Sequence, residues 1–207
     1  MKAGKLSIFA LATVLGLGLG LLIVISIPKP YTFQGSYFEQ ALPAADFTLQ
    51  DQHGRPFTLS QQRGKVVLIF FGYTSCPDVC PTTLGEYKKI AQRLGERADQ
   101  VAFVMITADP ERDTPERLGN YVSTFHPDFL GLTGSPEALQ AVYDAYGVFV
   151  EKEESESKAN YLVSHTSRVY VIDPDGNLRL TFPFGMAAES MAEDVLHLLP
   201  TGMKGNG

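Results

Sequence analysis

The chain has 207 residues, of which 44% are hydrophobic and 19% charged, and its formal net charge is −6. This composition suits a folded domain with an ordinary core, and an acidic chain without a basic stripe argues against nucleic-acid binding, because phosphates are bound by clustered Lys and Arg. There are only two cysteines, four residues apart, and because a disulfide-stapled scaffold would need more, a chemical role for the pair is favoured.

The N-terminal region predicts one transmembrane helix. Residues 6–27 carry no charge and no proline, and at about 1.5 Å per residue they span the roughly 30 Å of a hydrocarbon core. Lys2 and Lys5 precede this run, so the positive-inside rule keeps residues 1–5 in the cytoplasm and places the rest across the membrane. A cleaved signal peptide is the alternative, although its apolar part is usually shorter and ends at a small-residue site. Residues 28–43 are interpreted as a tether.

No Arg- and Ser-rich transit peptide precedes the apolar run, which points to a bacterial inner membrane crossed once, with the soluble domain on the periplasmic face. That domain is predicted to occupy residues 44–199, followed by a tail at 200–207. Strand and helix patterns alternate along it, so an α/β sheet covered on both faces is expected. In chain order, we predict an added N-terminal β-hairpin (46–49 and 57–59), a strand at 66–71, a helix from 81 to 94, a strand at 101–106, a helix reaching 125, a strand at 130–133, a helix from 135 to 146, a hairpin of 148–150 with 161–163, a second hairpin of 168–172 with 178–182, and a helix at 187–199.

The stretch with most chemical information is residues 70–81, where a buried strand leads through a loop with Cys76 and Cys80 into a helix. Sites in α/β proteins lie at this carboxyl edge of the sheet, and the free N–H groups of a helix N-terminus stabilise a thiolate. Residues four apart on a helical turn share a face, with Cβ atoms about 5–6 Å apart. The pair is therefore compatible with a metal site and with a redox disulfide.

A third ligand is sought among the four histidines. His53 lies in a predicted turn, His126 at a helix end where capping is expected, and His197 near the end of the last helix. His165 differs, since it precedes the strand at 168–172 in a loop that, in a thioredoxin-like arrangement, would lie over the cysteine loop. Position alone leaves two interpretations of His165 open, a metal ligand or a polar loop residue bonded to backbone.

Ordered blocks of the sequence resemble the Sco/SenC family over about residues 42–198. The matching blocks are 72–84 with its C-x-x-x-C-P, 104–116, 131–134, 164–166 and 169–176. The resemblance implies a thioredoxin-like fold with a membrane anchor. It also implies one copper ion, as Cu(I) and/or Cu(II), bound by Cys76, Cys80 and His165.

The function implied by the resemblance is that of a copper metallochaperone for the binuclear copper centre of cytochrome c oxidase subunit II. The expected partners are subunit II, an upstream copper donor, and a periplasmic thiol reductant that keeps Cys76 and Cys80 from closing a disulfide. Ser75 and Ser164 depart from the family pattern, because many members have His and Asp at these positions. We expect these changes to affect ligand orientation rather than the ligand set.

Alternative functions use the same residues. A thiol–disulfide reductase would employ Cys76 and Cys80 to reduce a client's copper-binding cysteines, with His165 as a bystander or an acid–base group. A thiol peroxidase needs an arginine beside its nucleophilic cysteine, and Arg168 is the candidate, since none lies in residues 72–81. A redox-sensing signalling module would have the same sequence features as the reductase and the peroxidase. The charged residues of 109–113 are interpreted as an exposed, salt-bridged loop beside the site.

Overall fold

A computed structural model describes residues 30–153 and 161–200. The chain divides into residues 1–32 and a unit from Phe33 to Gly207, and the fold described below is that of the second unit. The predicted anchor at 6–27, the cytoplasmic residues 1–5 and all but the first residue of the tail at 200–207 lie outside the described residues. Among the described residues, no helix is both long and apolar enough to cross a membrane.

The described strands form one large mixed sheet and one small hairpin. They are β1 (Ser36–Pro43), β2 (Thr48–Asp51), β3 (Pro56–Thr58), β4 (Val66–Gly72), β5 (Val101–Thr107), β6 (Leu130–Thr133), β7 (Val150–Lys152), β8 (Val163–His165), β9 (Val169–Ile172) and β10 (Asn177–Phe182). The large sheet has the order β1-β10-β9-β4-β5-β6-β2-β3, and β7 pairs only with β8. The predicted N-terminal hairpin is present as β2 and β3, which pair antiparallel.

The centre of the large sheet is parallel and fully buried. Strand β5 pairs parallel with both β4 and β6, and every residue of β4 and β5 is buried. Strands covered on both faces have continuous apolar sequences, which is why these two were recognisable from sequence. The helices that connect and cover the strands are α1 (Val79–Leu94), α2 (Pro115–Ser123), α3 (Pro136–Tyr146) and α4 (Ala188–Leu198).

Helices cover both faces of the sheet, as the α/β prediction required. Because side chains alternate along a strand, Phe70 and Phe71 of β4 point to opposite faces. Phe70 belongs to a core cluster with Tyr87 of α1 and Val195 of α4, whereas Phe71 belongs to a second cluster with Tyr143 of α3. The carboxyl end of β4, from which the cysteine loop leaves, is thus held between two packed layers.

The prediction of a tether at 28–43 is wrong over its last eight residues, which form β1. This strand pairs antiparallel with β10 at the sheet edge, and its register shifts between Tyr37 and Leu42. All but one of its residues are exposed, so no alternation of apolar and polar residues marks it in the sequence. Before β1, the buried carboxylate of Asp194 accepts hydrogen bonds from the backbone N–H groups of Gln34 and Gly35, at 3.0 and 2.8 Å.

Candidate metal centre

Three elements of the fold bring the predicted ligands together. Cys76 lies half-buried in the loop after β4, and Cys80 is fully buried in the first turn of α1, which begins at Val79 rather than at Pro81 as predicted. His165 is the last residue of β8, so it lies in a short hairpin strand rather than in a loop. Neither cysteine is in a disulfide.

The three side chains are close enough to share one ion. The sulfurs of Cys76 and Cys80 and a ring nitrogen of His165 all lie within 4.8 Å of one another. The Cys80 Sγ to His165 Nε2 distance is 3.5 Å. Three ligands with bonds of about 2.3 Å, spaced at about 120° around one ion, lie about 4 Å from one another. Shifts of a few tenths of an ångström are therefore sufficient for a three-coordinate site, and among the described residues this is the one such cluster.

The tautomer of His165 is assigned from its hydrogen bond to the chain. Its Nδ1 lies 3.2 Å from the carbonyl oxygen of Thr166. A carbonyl can only accept, so Nδ1 donates in this contact, and Nε2, which faces Cys80, is the ring nitrogen available to a metal. A bond of this kind to the second ring nitrogen is the usual way in which proteins orient a metal-binding histidine.

Cys76 and Cys80 have different proton affinities. The pKa of Cys76 is lowered to about 3, first because the Cys80 thiol donates a hydrogen bond to its sulfur. The backbone N–H of Cys80, at the N-terminus of α1, also points at the Cys76 sulfur, 3.5 Å away. The same contact between the thiols, together with burial, raises the pKa of Cys80. The pair therefore presents one thiolate and one buried thiol.

Two aromatic rings form the wall behind the histidine. The His165 ring packs edge-on against Phe70 and Tyr73, with ring centroids 5.8 Å apart in both pairs. The hydroxyl oxygen of Tyr73 accepts a hydrogen bond from the backbone N–H of Val163 at 3.3 Å. The residue that follows β4 thus contacts the strand that carries the ligand.

A family model and related proteins match the part of the chain that forms the fold and the site. The family model described as SCO1/SenC matches residues 36–200, starting at the first residue of β1. The chain belongs to the SCO1/SenC family. An SCO2-like protein of Rickettsia prowazekii is 36% identical over 190 residues, which cover 90% of this chain and 93% of that protein.

Solved structures of two family members resemble this SCO1/SenC chain closely. Bradyrhizobium japonicum ScoI with copper bound is 39% identical, with a TM-score of 0.71, and the match covers 77% of this chain and all of that one, 100%. Apo Sco1 of Thermus thermophilus is 39% identical, with a TM-score of 0.75, over 83% of this chain and 100% of that one. The predicted family and its mixed α/β, thioredoxin-like fold are confirmed.

Ser75 and Ser164, the two predicted departures from the family pattern, each bond to a side chain outside the cluster. The hydroxyl of Ser75 accepts from the guanidinium of Arg117 at 2.7 Å. The hydroxyl of Ser164 donates to Glu153 Oε1 at 2.8 Å. Each serine therefore links the site to a neighbouring element, α2 in one case and the residue after β7 in the other.

The remaining candidates do not join the cluster. His53 is exposed, Nδ1 of His126 accepts from the backbone N–H of Asp128, and the ring of His197 packs against Phe33. Arg168, the candidate arginine of a thiol peroxidase, donates to the Thr181 hydroxyl of β10 at 2.8 Å.

Sequence reasoning missed the two buried carboxylates beside the site. Asp109 and Asp113 are 0% and 1% exposed, so the interpretation of 109–113 as an exposed loop is wrong for both. Asp113 accepts from the hydroxyls of Thr74 at 2.6 Å and Thr107 at 2.8 Å, and the next residue, Thr114, caps α2. Both residues could have been identified by their position in the loop after β5, because functional side chains lie at the carboxyl edge of a parallel sheet.

Proposed function

We propose that this protein is a membrane-anchored copper metallochaperone that binds one copper ion through Cys76, Cys80 and His165. The observation that carries the proposal is the convergence of two sulfurs and a ring nitrogen of His165 within 4.8 Å. Soft thiolates combined with an imidazole suit copper or zinc. The 39% identity to Bradyrhizobium japonicum ScoI with copper bound supports copper.

The cargo is delivered by ligand exchange rather than by turnover. Cys80 is fully buried, whereas Cys76 is half-buried and followed by the exposed Pro77 and Asp78. Thiolates of a client protein can therefore approach from the side of Cys76 and replace the three ligands one after another. Oxidation of the two cysteines to a disulfide would remove both sulfur ligands, so a thiol reductant has to maintain the loadable form.

The proposed client is subunit II of cytochrome c oxidase, at its binuclear copper centre, with an upstream protein as copper donor. The proposed location is the bacterial inner membrane, with residues 6–27 as the single span and the copper site on the periplasmic face. Protease added to intact spheroplasts should digest the domain, whereas a domain on the cytoplasmic side would be protected.

The decisive experiment is an anaerobic Cu(I) titration of the full-length chain against a chromophoric chelator. We expect one copper per chain, and we expect His165→Ala to weaken binding by more than about tenfold. His126→Ala is the matched control, since this histidine lies outside the cluster, and its affinity should equal that of the wild type. Unchanged affinity in His165→Ala would refute the three-ligand site. Thiolate-to-Cu(II) absorption in the visible region should appear with the wild type and disappear with Cys76→Ser.

A thiol–disulfide reductase is the second candidate, and the unequal thiols favour it. A reductase needs one thiolate to attack a client disulfide and a second thiol nearby to release the client. Cys76, with its lowered pKa, and the adjacent Cys80 meet this requirement. The test uses the His165→Ala variant and a client whose copper-ligand cysteines form a disulfide. If this variant does not bind copper but still reduces the disulfide at the wild-type rate, the result would favour the reductase over the metallochaperone.

A further inference from the structure

The hairpin that carries His165 is not part of the large sheet. Among the strands of residues 30–153 and 161–200, β8 pairs only with β7, in a register that places His165 opposite Val150. Neither strand exceeds three residues, and two short strands alone are marginally stable in water. Contacts outside the hairpin must therefore fix the position of this ligand relative to the two cysteines.

The first such contact joins Tyr161, two residues before β8, to the end of β5. The hydroxyl of Tyr161 donates to Asp109 Oδ1 at 2.6 Å. Asp109 is completely buried, and its own N–H donates to the hydroxyl of Thr107 at 2.9 Å. Asp109 is thus held at the end of β5, and the Tyr161 hydroxyl is bonded to its carboxylate.

The second contact fixes the backbone of Tyr161. The guanidinium of Arg112 forms an ion pair with Asp109 and donates from Nη1 to the backbone carbonyl of Tyr161 at 2.9 Å. It also stacks over the Tyr161 ring, with its central carbon 3.6 Å from the ring centroid. Asp109 and Arg112 therefore hold both the side chain and the backbone of Tyr161, and we call these three residues the clamp.

Two contacts connect the clamp to His165. Val163, two residues after Tyr161, donates its N–H to the Tyr73 hydroxyl, and the Tyr73 ring packs against His165. On the β7 side, Lys152 forms an ion pair with Glu111, which lies between the two charged residues of the clamp. The 109–112 turn thus contacts β7 through Lys152 and, through Tyr161, the segment that leads into β8.

We propose that the clamp of Asp109, Arg112 and Tyr161 positions His165 against the two cysteines, and so sets the contribution of the third ligand to copper affinity. This proposal rests on the proposed copper function of the same site. Its physical basis is preorganisation: a ligand held in place before binding loses less conformational entropy when it coordinates. The three residues are positioning residues, since none of them reaches the cluster itself.

Tyr161→Phe tests the proposal, because it removes the hydroxyl bonded to Asp109 and leaves the ring beneath Arg112. We expect Cu(I) affinity of the full-length chain to fall about tenfold, with a shift of the thiolate-to-Cu(II) absorption band. Tyr143→Phe is the matched control. Its hydroxyl is also buried and donates at 2.6 Å at the same strand end, but to the carbonyl of Thr107 rather than to Asp109. This control should bind copper as the wild type does.

A double-mutant cycle separates positioning from general destabilisation. In the His165→Ala background, Tyr161→Phe should cause no further loss of affinity, because the ligand through which it acts is gone. Equal affinity of Tyr161→Phe and wild type would overturn the proposal, and so would an undiminished effect in the His165→Ala background.

A metal-free measurement keeps the clamp testable if copper binding itself fails. Amide hydrogen exchange of the peptide 161–165 should accelerate in Tyr161→Phe and stay at the wild-type rate in Tyr143→Phe. Wild-type protein that binds no copper refutes the proposed function, whereas copper binding with unchanged exchange in Tyr161→Phe refutes only the clamp.

Discussion

Gly72 and Cys80 are packed so closely that a Cβ atom at position 72 would lie 2.8 Å from the sulfur of Cys80. The same Cβ would lie 2.6 Å from the ring of Phe70, which itself packs against His165. Glycine at the last residue of β4 therefore allows a buried ligand to lie directly against the strand that precedes its loop.

Gly72→Ala should disturb the site and the core together. The added methyl group must displace the Cys80 sulfur or the Phe70 ring, and overpacking of this kind costs about 1–3 kcal/mol in the free energy of unfolding. We also expect copper affinity to fall about tenfold. Gly85→Ala in α1 is the control, because nothing lies within 4 Å of its Cβ position. That variant should be more stable by about 0.5–1 kcal/mol, with unchanged affinity. Denaturant unfolding and chelator competition measure the two quantities.

The buried centre of the fold and the place of the cysteine pair were predictable from local patterns. Strands β4 and β5 are continuous apolar runs because both faces are covered, and a C-x-x-x-C sequence directly after one of them identifies the carboxyl edge of the sheet. His165 was not fixed in this way. Its distance from Cys80 depends on the β7–β8 hairpin, and only the family resemblance assigned it as a ligand.

Features that depend on distant partners escaped the sequence interpretation. Strand β1 is recognisable by its pairing with β10, more than a hundred residues later, and not by its own mostly exposed residues. Asp109 and Asp113 look like ordinary loop charges because Tyr161 and Thr74, which donate to them, are distant in the sequence and are brought near only by the fold. Burial of a carboxylate is decided by such partners, which no local window contains.

The unequal thiols predict selective alkylation of the reduced, metal-free protein. At pH 6, iodoacetamide should modify Cys76 at least about tenfold faster than Cys80, because the thiolate is the nucleophile. Cys76 is half-buried with its pKa lowered to about 3, whereas Cys80 is 0% exposed with a raised pKa. Peptide mapping by mass spectrometry measures the two rates.

The Cys80→Ala variant identifies the cause of this reactivity. It removes the thiol that donates to Cys76, so the pKa of Cys76 should rise toward its ordinary value. The rate of Cys76 alkylation, nearly independent of pH between 5 and 8 in the wild type, should then increase with pH over this interval. Preferential alkylation of Cys80 in the wild type would contradict the assignment.

Copper loading should release about one proton per ion at pH 7. Metal ligands bind in their deprotonated forms, and Cys76 is already a thiolate, so the proton comes from Cys80, whose pKa is raised. Because binding releases one proton, affinity should increase about tenfold per pH unit between pH 7 and 8. Titration calorimetry in two buffers with different ionisation enthalpies measures the proton count. A release of two protons would show that Cys76 is protonated before loading.

Asp113 is predicted to stabilise the start of the cysteine loop. Its carboxylate accepts from the N–H and the hydroxyl of Thr74, and from the hydroxyl of Thr107. Asp113→Ala leaves these buried donors without their acceptor, so the free energy of unfolding should decrease by about 3 kcal/mol. Asp128→Ala is the control, since the Asp128 side chain is 89% exposed. Substitutions at such surface positions usually change stability by less than about 0.5 kcal/mol.

The pH dependence of the Asp113→Ala effect has a definite sign. Burial raises the pKa of Asp113, against the opposing hydrogen bonds from Thr74 and Thr107. Ionisation of this carboxyl is therefore less favourable in the folded than in the unfolded chain. The protonated carboxyl makes its full contribution to stability only below the pKa of the unfolded chain, about 3.9. The stability difference between wild type and Asp113→Ala should shrink as pH rises through the folded-state pKa. A difference that grows with pH, measured by urea unfolding from pH 4 to 8, would show that the threonine bonds outweigh burial.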